Sequence, residues 1–216
     1  MIEIQNITKI YRKGNETFTA LDDVTLKIDI GDFAAVIGPS GSGKSTLLNS
    51  IGGLIKPDSG RVLYKGNDIY NLPANMLDDY RKKNTGFVFQ QFHLMPYLTV
   101  YENIRLACLD GSHQDSINEY LEKCSIAALK NKYPSELSVG EKQRTAFIRA
   151  IISEPEILLA DEPTGNLDPM NSSILMALVE DFHKKGGTVL LVSHDPEAAK
   201  YADRYIKLEA GRLLND

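Results

Sequence analysis

The chain has 216 residues, 43% of them hydrophobic and 25% charged, and carries a net charge of −5. That is enough for one α/β domain with a sizeable core. The acidic balance argues against a protein built to grip nucleic-acid phosphates, since the longest basic run is Arg81-Lys82-Lys83. The start MIEIQNITKI lacks the charged lead and long apolar stretch of a secretion signal. No apolar run approaches the ~18 residues of a membrane-crossing helix, so any membrane part is expected on another chain. Cys108 and Cys124 have no metal-site spacing. They read as thiols of a reducing cytosol, with one disulfide left open by sequence alone.

The first thirty residues read as antiparallel strands, because Val24, Leu26, Ile28 and Ile30 alternate with polar neighbours. After the turn Gly31-Asp32 comes Phe33-Ala34-Ala35-Val36-Ile37, apolar on both faces. It runs straight into Gly38-Pro39-Ser40-Gly41-Ser42-Gly43-Lys44-Ser45-Thr46, followed by a helix expected from Lys44 to about Leu54. This fits the phosphate-loop pattern G-x-x-x-x-G-K-[ST] in the strand-to-helix setting that gives the pattern its meaning. The glycines let backbone N–H groups turn inward around a β-phosphate. Lys44 supplies a positive charge to β- and γ-phosphates, and the Ser45 hydroxyl suits Mg²⁺.

Pro57-Asp58-Ser59-Gly60 is a turn into a short strand, Arg61 to Tyr64, and Phe87-Val88-Phe89 is another strand, followed by Gln90. From about 91 to 153 the pattern is mostly helical, with Pro134 breaking it. Within that stretch Gln91 to Tyr101 is strongly apolar, lacks helical or strand period and contains Pro96. It reads as a surface loop for a partner, although some of its side chains also suit the core of the helical part.

Two more doubly apolar strands follow, Ile157 to Ala160 and Thr188 to Val192. Short buried strands separated by helices imply a parallel sheet covered on both sides. The first runs into Asp161-Glu162. Beside a phosphate loop, Asp161 is placed to associate with Mg²⁺ and Glu162 to act as general base on a water in line with the γ-phosphate. Two acids alone would sooner read as a solvated pair capping the next helix; the buried strand and the phosphate loop reverse that preference. No N-K-x-D guanine-reading segment is present.

Leu137-Ser138-Val139-Gly140-Glu141-Lys142-Gln143-Arg144 resembles the LSGGQ-type signature of ABC ATPases. Asp161-Glu162-Pro163-Thr164-Gly165-Asn166-Leu167-Asp168 resembles that family's Walker B and D-loop run, with Asp168 also suited to begin a helix before Pro169. His194 corresponds to its switch histidine, Gln90 to its Q-loop glutamine and Tyr11 to its adenine-stacking aromatic.

The resemblance implies a single cassette over residues 1–216, of class α/β. A parallel P-loop NTPase core would carry an antiparallel β subdomain (about 1–30 and 57–70) and an inserted helical subdomain (about 91–153). It implies an Mg²⁺-dependent ATPase with Ser45, Gln90 and Asp161 toward the metal and Glu162 and His194 in catalysis. ATP would lie on Tyr11 and Gly38 to Thr46. Two copies would close head to tail, each using Ser138, Val139, Gly140 and Glu141 on the other's ATP. Val139 stands where the family has glycine and is expected to remove positive-φ freedom there; Glu141 stands in place of glutamine.

Tyr11 to Leu21, Gly86 to Ile104 and Thr164 to Asp168 together look like the ATPases of lipoprotein-release, macrolide-export and cell-division systems. Such a subunit would lie on the inner face of the cell membrane through a permease docked near Gln91 to Tyr101. The alternative is a soluble ABC ATPase of repair or translation, against which stand the single cassette and the lack of a heptad run.

Overall fold

Alternating apolar residues draw the N-terminal segment into a hairpin. In the computed structural model, which describes residues 1–108, 113 and 116–214, β1 (Ile2–Lys13) pairs antiparallel with β2 (Glu16–Ile28). Val24, Leu26 and Ile28 point into the core. Ile30, expected to continue that alternation, lies beyond the strand and is 62% exposed. The chain turns there because the Asp32 carboxylate accepts from the Asp29 N–H (2.9 Å) and Gly31 adopts φ 82°.

On the other side of β1 lie β4 (Ser59–Tyr64) and then β5 (Asn67–Asp68), which gives a four-stranded antiparallel sheet ordered β2-β1-β4-β5. The second sheet holds β3 (Phe33–Ile37), β6 (Thr85–Val88), β7 (Ile157–Asp161), β8 (Thr188–Ser193), β9 (Arg204–Glu209) and β10 (Arg212–Leu214). Its order is β10-β9-β3-β8-β7-β6, parallel except for the edge strand β10.

The apolar runs of β3, β7 and β8 follow from burial on both faces. Ala35, Leu158, Ala160 and Leu191 turn to one cluster, with Phe147, Ile148 and Leu175 of the helices. Ala34, Val36, Leu159 and Leu190 turn to the other, with Ile4 and Leu26 of the antiparallel sheet and Leu47 and Leu48 of the first helix. Each fully buried aliphatic contributes roughly 1.5–3 kcal/mol, so the layers are held mainly by this double burial.

The helices are α1 (Lys44–Ile51), α2 (Ala74–Asp79), α3 (Val100–Arg105), α4 (Ser116–Lys123), α5 (Val139–Ile151) and α6 (Pro169–Lys184). The first stops short of the expected Leu54 because Gly53 takes φ 74°, a left-handed residue past the helix end. Pro134 opens a single 3-10 turn, Pro134–Glu136. Part of the stretch 91–153 expected to be helical lies outside the described residues. Cys108 and Cys124 are both buried and form no disulfide; burial pushes the Cys124 thiol up to about 12.

Parallel strands end together. Ile37 lies beside Ser193, Asp161 beside Val192, and Val88 beside Ala160. Residues following β3, β6, β7 and β8 therefore meet at one edge of the sheet, where ligands of open α/β sheets bind.

Candidate functional site

The loop after β3 is pressed between two other backbones. Gly43 has φ 104°, and a Cβ on it would lie 2.1 Å from the Ala20 carbonyl oxygen of β2. A Cβ on Gly38 would lie 2.0 Å from that of Leu208 in β9. Only glycine fits these approaches. The fold uses them to aim α1 and its first residue, Lys44, into the site. The Lys44 side chain is 5% exposed, and its ammonium donates to the Gly38 and Pro39 carbonyls at 2.8 and 2.9 Å.

Across from the loop, the Ser45 hydroxyl donates to Asp161 Oδ1 at 2.9 Å. Burial, the largest influence on Asp161, holds its carboxyl above the ordinary aspartate range. Glu162, one residue on, has left the strand and takes φ 44°, its N–H donating to the Val192 carbonyl at 2.9 Å. Its side chain is 14% exposed and is held at both ends: Oε2 lies 2.7 Å from His194 Nδ1 and Oε1 lies 3.9 Å from Lys44 Nζ. The Gln90 carbonyl accepts from Asn166 Nδ2 at 3.2 Å.

These groups share an open cleft of about 710 Å³, lined among others by Tyr11, Phe18, Lys44, Ser45, Gln90, Glu162 and His194. Tyr11 is 40% exposed, and its hydroxyl oxygen lies 3.5 Å from Thr46 Oγ1. The oxygens of Ser45 and Asp161 suit a hard cation such as Mg²⁺. Among the described residues no three His, Cys, Asp or Glu side chains gather to form a metal cage. The donor set therefore fits a cation that takes part of its shell from phosphates and water, as Mg²⁺ does.

Ser138, Val139, Gly140 and Glu141 do not line this cleft; they begin α5 elsewhere. Ser138 is its N-cap: Oγ accepts from the Glu141 N–H at 3.3 Å, and the Glu141 carboxylate accepts from the Ser138 N–H at 2.7 Å. Glu141 thus has a local role as the far half of a capping box. Val139 is the first helical residue, 44% exposed, at negative φ. Valine does lack glycine's positive-φ freedom, but a helix start asks only for helical φ, and the side chain points outward. The missing Cβ that matters is that of Gly140, which would lie 2.3 Å from Asn171 Oδ1 of α6. Asp168 is the N-cap of α6, accepting from the Asn171 N–H at 2.9 Å.

Gln91 to Thr99 runs as an irregular loop, whereas Val100 and Tyr101, expected to belong to it, already lie in α3 because Thr99 caps that helix. The Asn103 amide clasps it through Met95 N, Met95 O and Leu98 O at 2.7 to 3.1 Å. The Arg149 guanidinium donates to the Phe92 and His93 carbonyls. Tyr97, 72% exposed, and Met95, 36% exposed, lie at its surface.

Phe18 is a cleft residue that sequence reading overlooked. Lys13 pairs with Glu16 across the Gly14-Asn15 turn, and Phe18 therefore stands opposite Tyr11. A Gly-Asn pair between strand-like segments is a hairpin signal from which that register follows.

A protein-family profile described as ABC transporter matches residues 21–165. A macrolide export ATP-binding/permease protein, MacB of Chlorobaculum tepidum, is 40% identical over all of this chain, which spans 34% of that protein. An uncharacterized ABC transporter ATP-binding protein, MJ1508 of Methanocaldococcus jannaschii, is 41% identical, with 99% of this chain and 98% of that protein covered. Among solved structures, the ABC transporter cassette MJ0796 in a dimeric structure superposes with a TM-score of 0.93 at 38% identity, over 100% of this chain and 97% of that one. A dimeric post-hydrolysis state of MJ0796 bound to ADP and Pi gives the same TM-score at 37% identity.

Proposed function

The chain belongs to the ABC transporter family as an ATP-binding cassette, and from that premise we propose that it works as a pair of copies, hydrolysing ATP with Mg²⁺ to drive a separate membrane permease. The observation that carries the chemistry is the Glu162 carboxylate, held between His194 at 2.7 Å and Lys44 at 3.9 Å. A base fixed at both ends can hold a water in one direction, and phosphoryl transfer depends mainly on such positioning and on charge.

In this reading Tyr11 stacks on the adenine and the Gly38 to Thr46 loop wraps the phosphates. Lys44 exchanges its carbonyl partners for phosphate oxygens. Glu162 takes the proton from the attacking water, and His194 orients Glu162 while its other ring nitrogen meets the γ-phosphate. Ser45 and Asp161, with Gln90, hold Mg²⁺, whose charge offsets that of the phosphate oxygens when it is bound. The partner copy supplies Ser138, Val139, Gly140 and Glu141 at the start of its α5, with Asp168 beside them. Residues 1–30 and 57–70 serve the base, and the helical part from 91 to 153 carries the signature and the permease contact.

MacB, as its name states, joins ATP-binding and permease parts in one protein. That supports placing this chain under a permease of the macrolide-export, lipoprotein-release or cell-division type, at the inner face of the membrane, with the segment from Gln91 to Tyr101 as the contact. No helix among the described residues is long and apolar enough to cross a membrane.

Purified protein should hydrolyse ATP with Mg²⁺ and stop when the metal is chelated. Absence of both ATP binding and turnover, with the permease present, would refute the reading. Tyr97→Glu should leave turnover of the isolated chain intact and abolish co-purification with its permease; normal assembly would remove the docking assignment.

A further inference from the structure

Two segments of this chain are expected to reach the nucleotide of the partner copy: the start of α5 at Ser138 and the start of α6 at Asp168. They belong to different helices, and a single side chain joins them. Asn171, in the first turn of α6, accepts from Arg144 Nη1 of α5 at 2.8 Å through Oδ1. Through Nδ2 it donates to Asp168 Oδ2 at 2.6 Å, while its backbone N–H donates to Asp168 Oδ1 at 2.9 Å. The same Oδ1 is the atom that a Cβ on Gly140 would meet at 2.3 Å. Arg144 Nε is buried without a hydrogen-bond partner, so the amide oxygen of Asn171 is a contact its guanidinium can ill replace.

We infer that Asn171 is a positioning residue. It fixes the offset between the Ser138 segment and Asp168, so that both arrive together at the partner's nucleotide. This rests on the proposed closure of two copies. An amide is the group that serves, because one planar head offers an acceptor to a cation and a donor to a carboxylate. Leucine has the size and neither function. Aspartate keeps the acceptor for Arg144 but sets a second negative charge against Asp168. Gly140 completes the device, since any side chain there would push the amide off both partners.

The test separates nucleotide binding by one copy from closure of two. In a Glu162→Gln background, Asn171→Ala, Asn171→Leu and Gly140→Ala are compared with their parent and with Ser138→Ala. ATP-driven dimerisation is read by size-exclusion chromatography, and single-copy affinity by titrating dilute protein with a fluorescent ATP analogue. The Asn171 variants should need on the order of tenfold to a hundredfold more ATP to dimerise, the cost of slight misplacement away from the chemistry. Single-copy affinity should stay at the parent's, while the melting temperature falls modestly for the partner that Arg144 loses. Asn171→Ala adds no bulk and covers the case in which Asn171→Leu does not fold.

Dimerisation unchanged in the Asn171 variants, with Ser138→Ala impaired, would overturn the role of Asn171 alone. Ser138→Ala dimerising like its parent would overturn the closure reading and this inference with it. Loss of single-copy binding in step with dimerisation would show Asn171 supporting the fold as a whole, and would also overturn it.

Discussion

The two ends of the cleft are built on different terms. At the phosphate end Lys44 and Glu162 are 5% and 14% exposed, and each is tied to named partners on strand ends whose register the sheet sets. At the other end Tyr11 and Phe18 are 40% and 57% exposed on a hairpin. Phosphoryl transfer tolerates little misplacement, and the groups proposed for it hang from strands buried on both faces. Stacking on a base needs area more than angle, and an edge hairpin can supply it.

The sharpest way to break that contrast is to alter chemistry at the rigid end without altering shape. Glu162→Gln should lower kcat by roughly 10²–10⁴-fold, the usual worth of a general base, while ATP still binds and holds two copies together on a sizing column. Near-normal turnover would mean that another group takes the proton. Next comes the place where the two ends touch, Gly43 against Ala20. Gly43→Ala sets a Cβ 2.1 Å from a carbonyl oxygen at φ 104°. The φ angle alone should take about 1–3 kcal/mol from the unfolding free energy, read by urea titration.

At the tolerant end, Tyr11→Ala should weaken ATP binding by about 1–3 kcal/mol, whereas Tyr11→Phe and Tyr11→Trp stay near neutral and GTP is also hydrolysed. Strict ATP selectivity would show that hydrogen bonds read the base, and the contrast would fail.

The smallest effect concerns Asp161, whose carboxyl burial holds above its ordinary range. A raised carboxyl pKa means the native state binds the proton more tightly than the unfolded chain. This group's contribution is therefore fully present at low pH and is lost as pH climbs from the ordinary aspartate range through the raised value. Asp161→Asn should melt at a slightly higher temperature than the parent at neutral pH in metal-free buffer, and the gap should close as the solution is acidified. A gap independent of pH would assign the change to packing.

Sequence sufficed for the parts whose cause is local. The phosphate loop is legible because glycines, Lys44 and Ser45 must stand at fixed spacing after a buried strand, and β3, β7 and β8 because both their faces are covered. Ile30 misled because alternation continues in the letters after the Asp29–Asp32 turn has ended the strand. Val139 drew attention by its difference from the family's glycine, whereas Gly140 is the residue packed on Asn171. Neither Asn171 nor the clasp of Asn103 on the Met95 to Thr99 loop could be read, since an asparagine inside a helical stretch carries no mark of what it touches.

One backbone angle has a consequence for engineering. Glu162 sits at φ 44° in a region that glycine enters freely and glutamate does not, at a cost of order 1–3 kcal/mol. Heat selection on a mutant library, blind to turnover, would reward relief of that strain by Glu162→Gly wherever it outweighs the lost His194 and Lys44 contacts, and would return a protein without its proposed base. Only a screen that scores ATP turnover would keep glutamate there, so at this residue endurance and activity must be selected together.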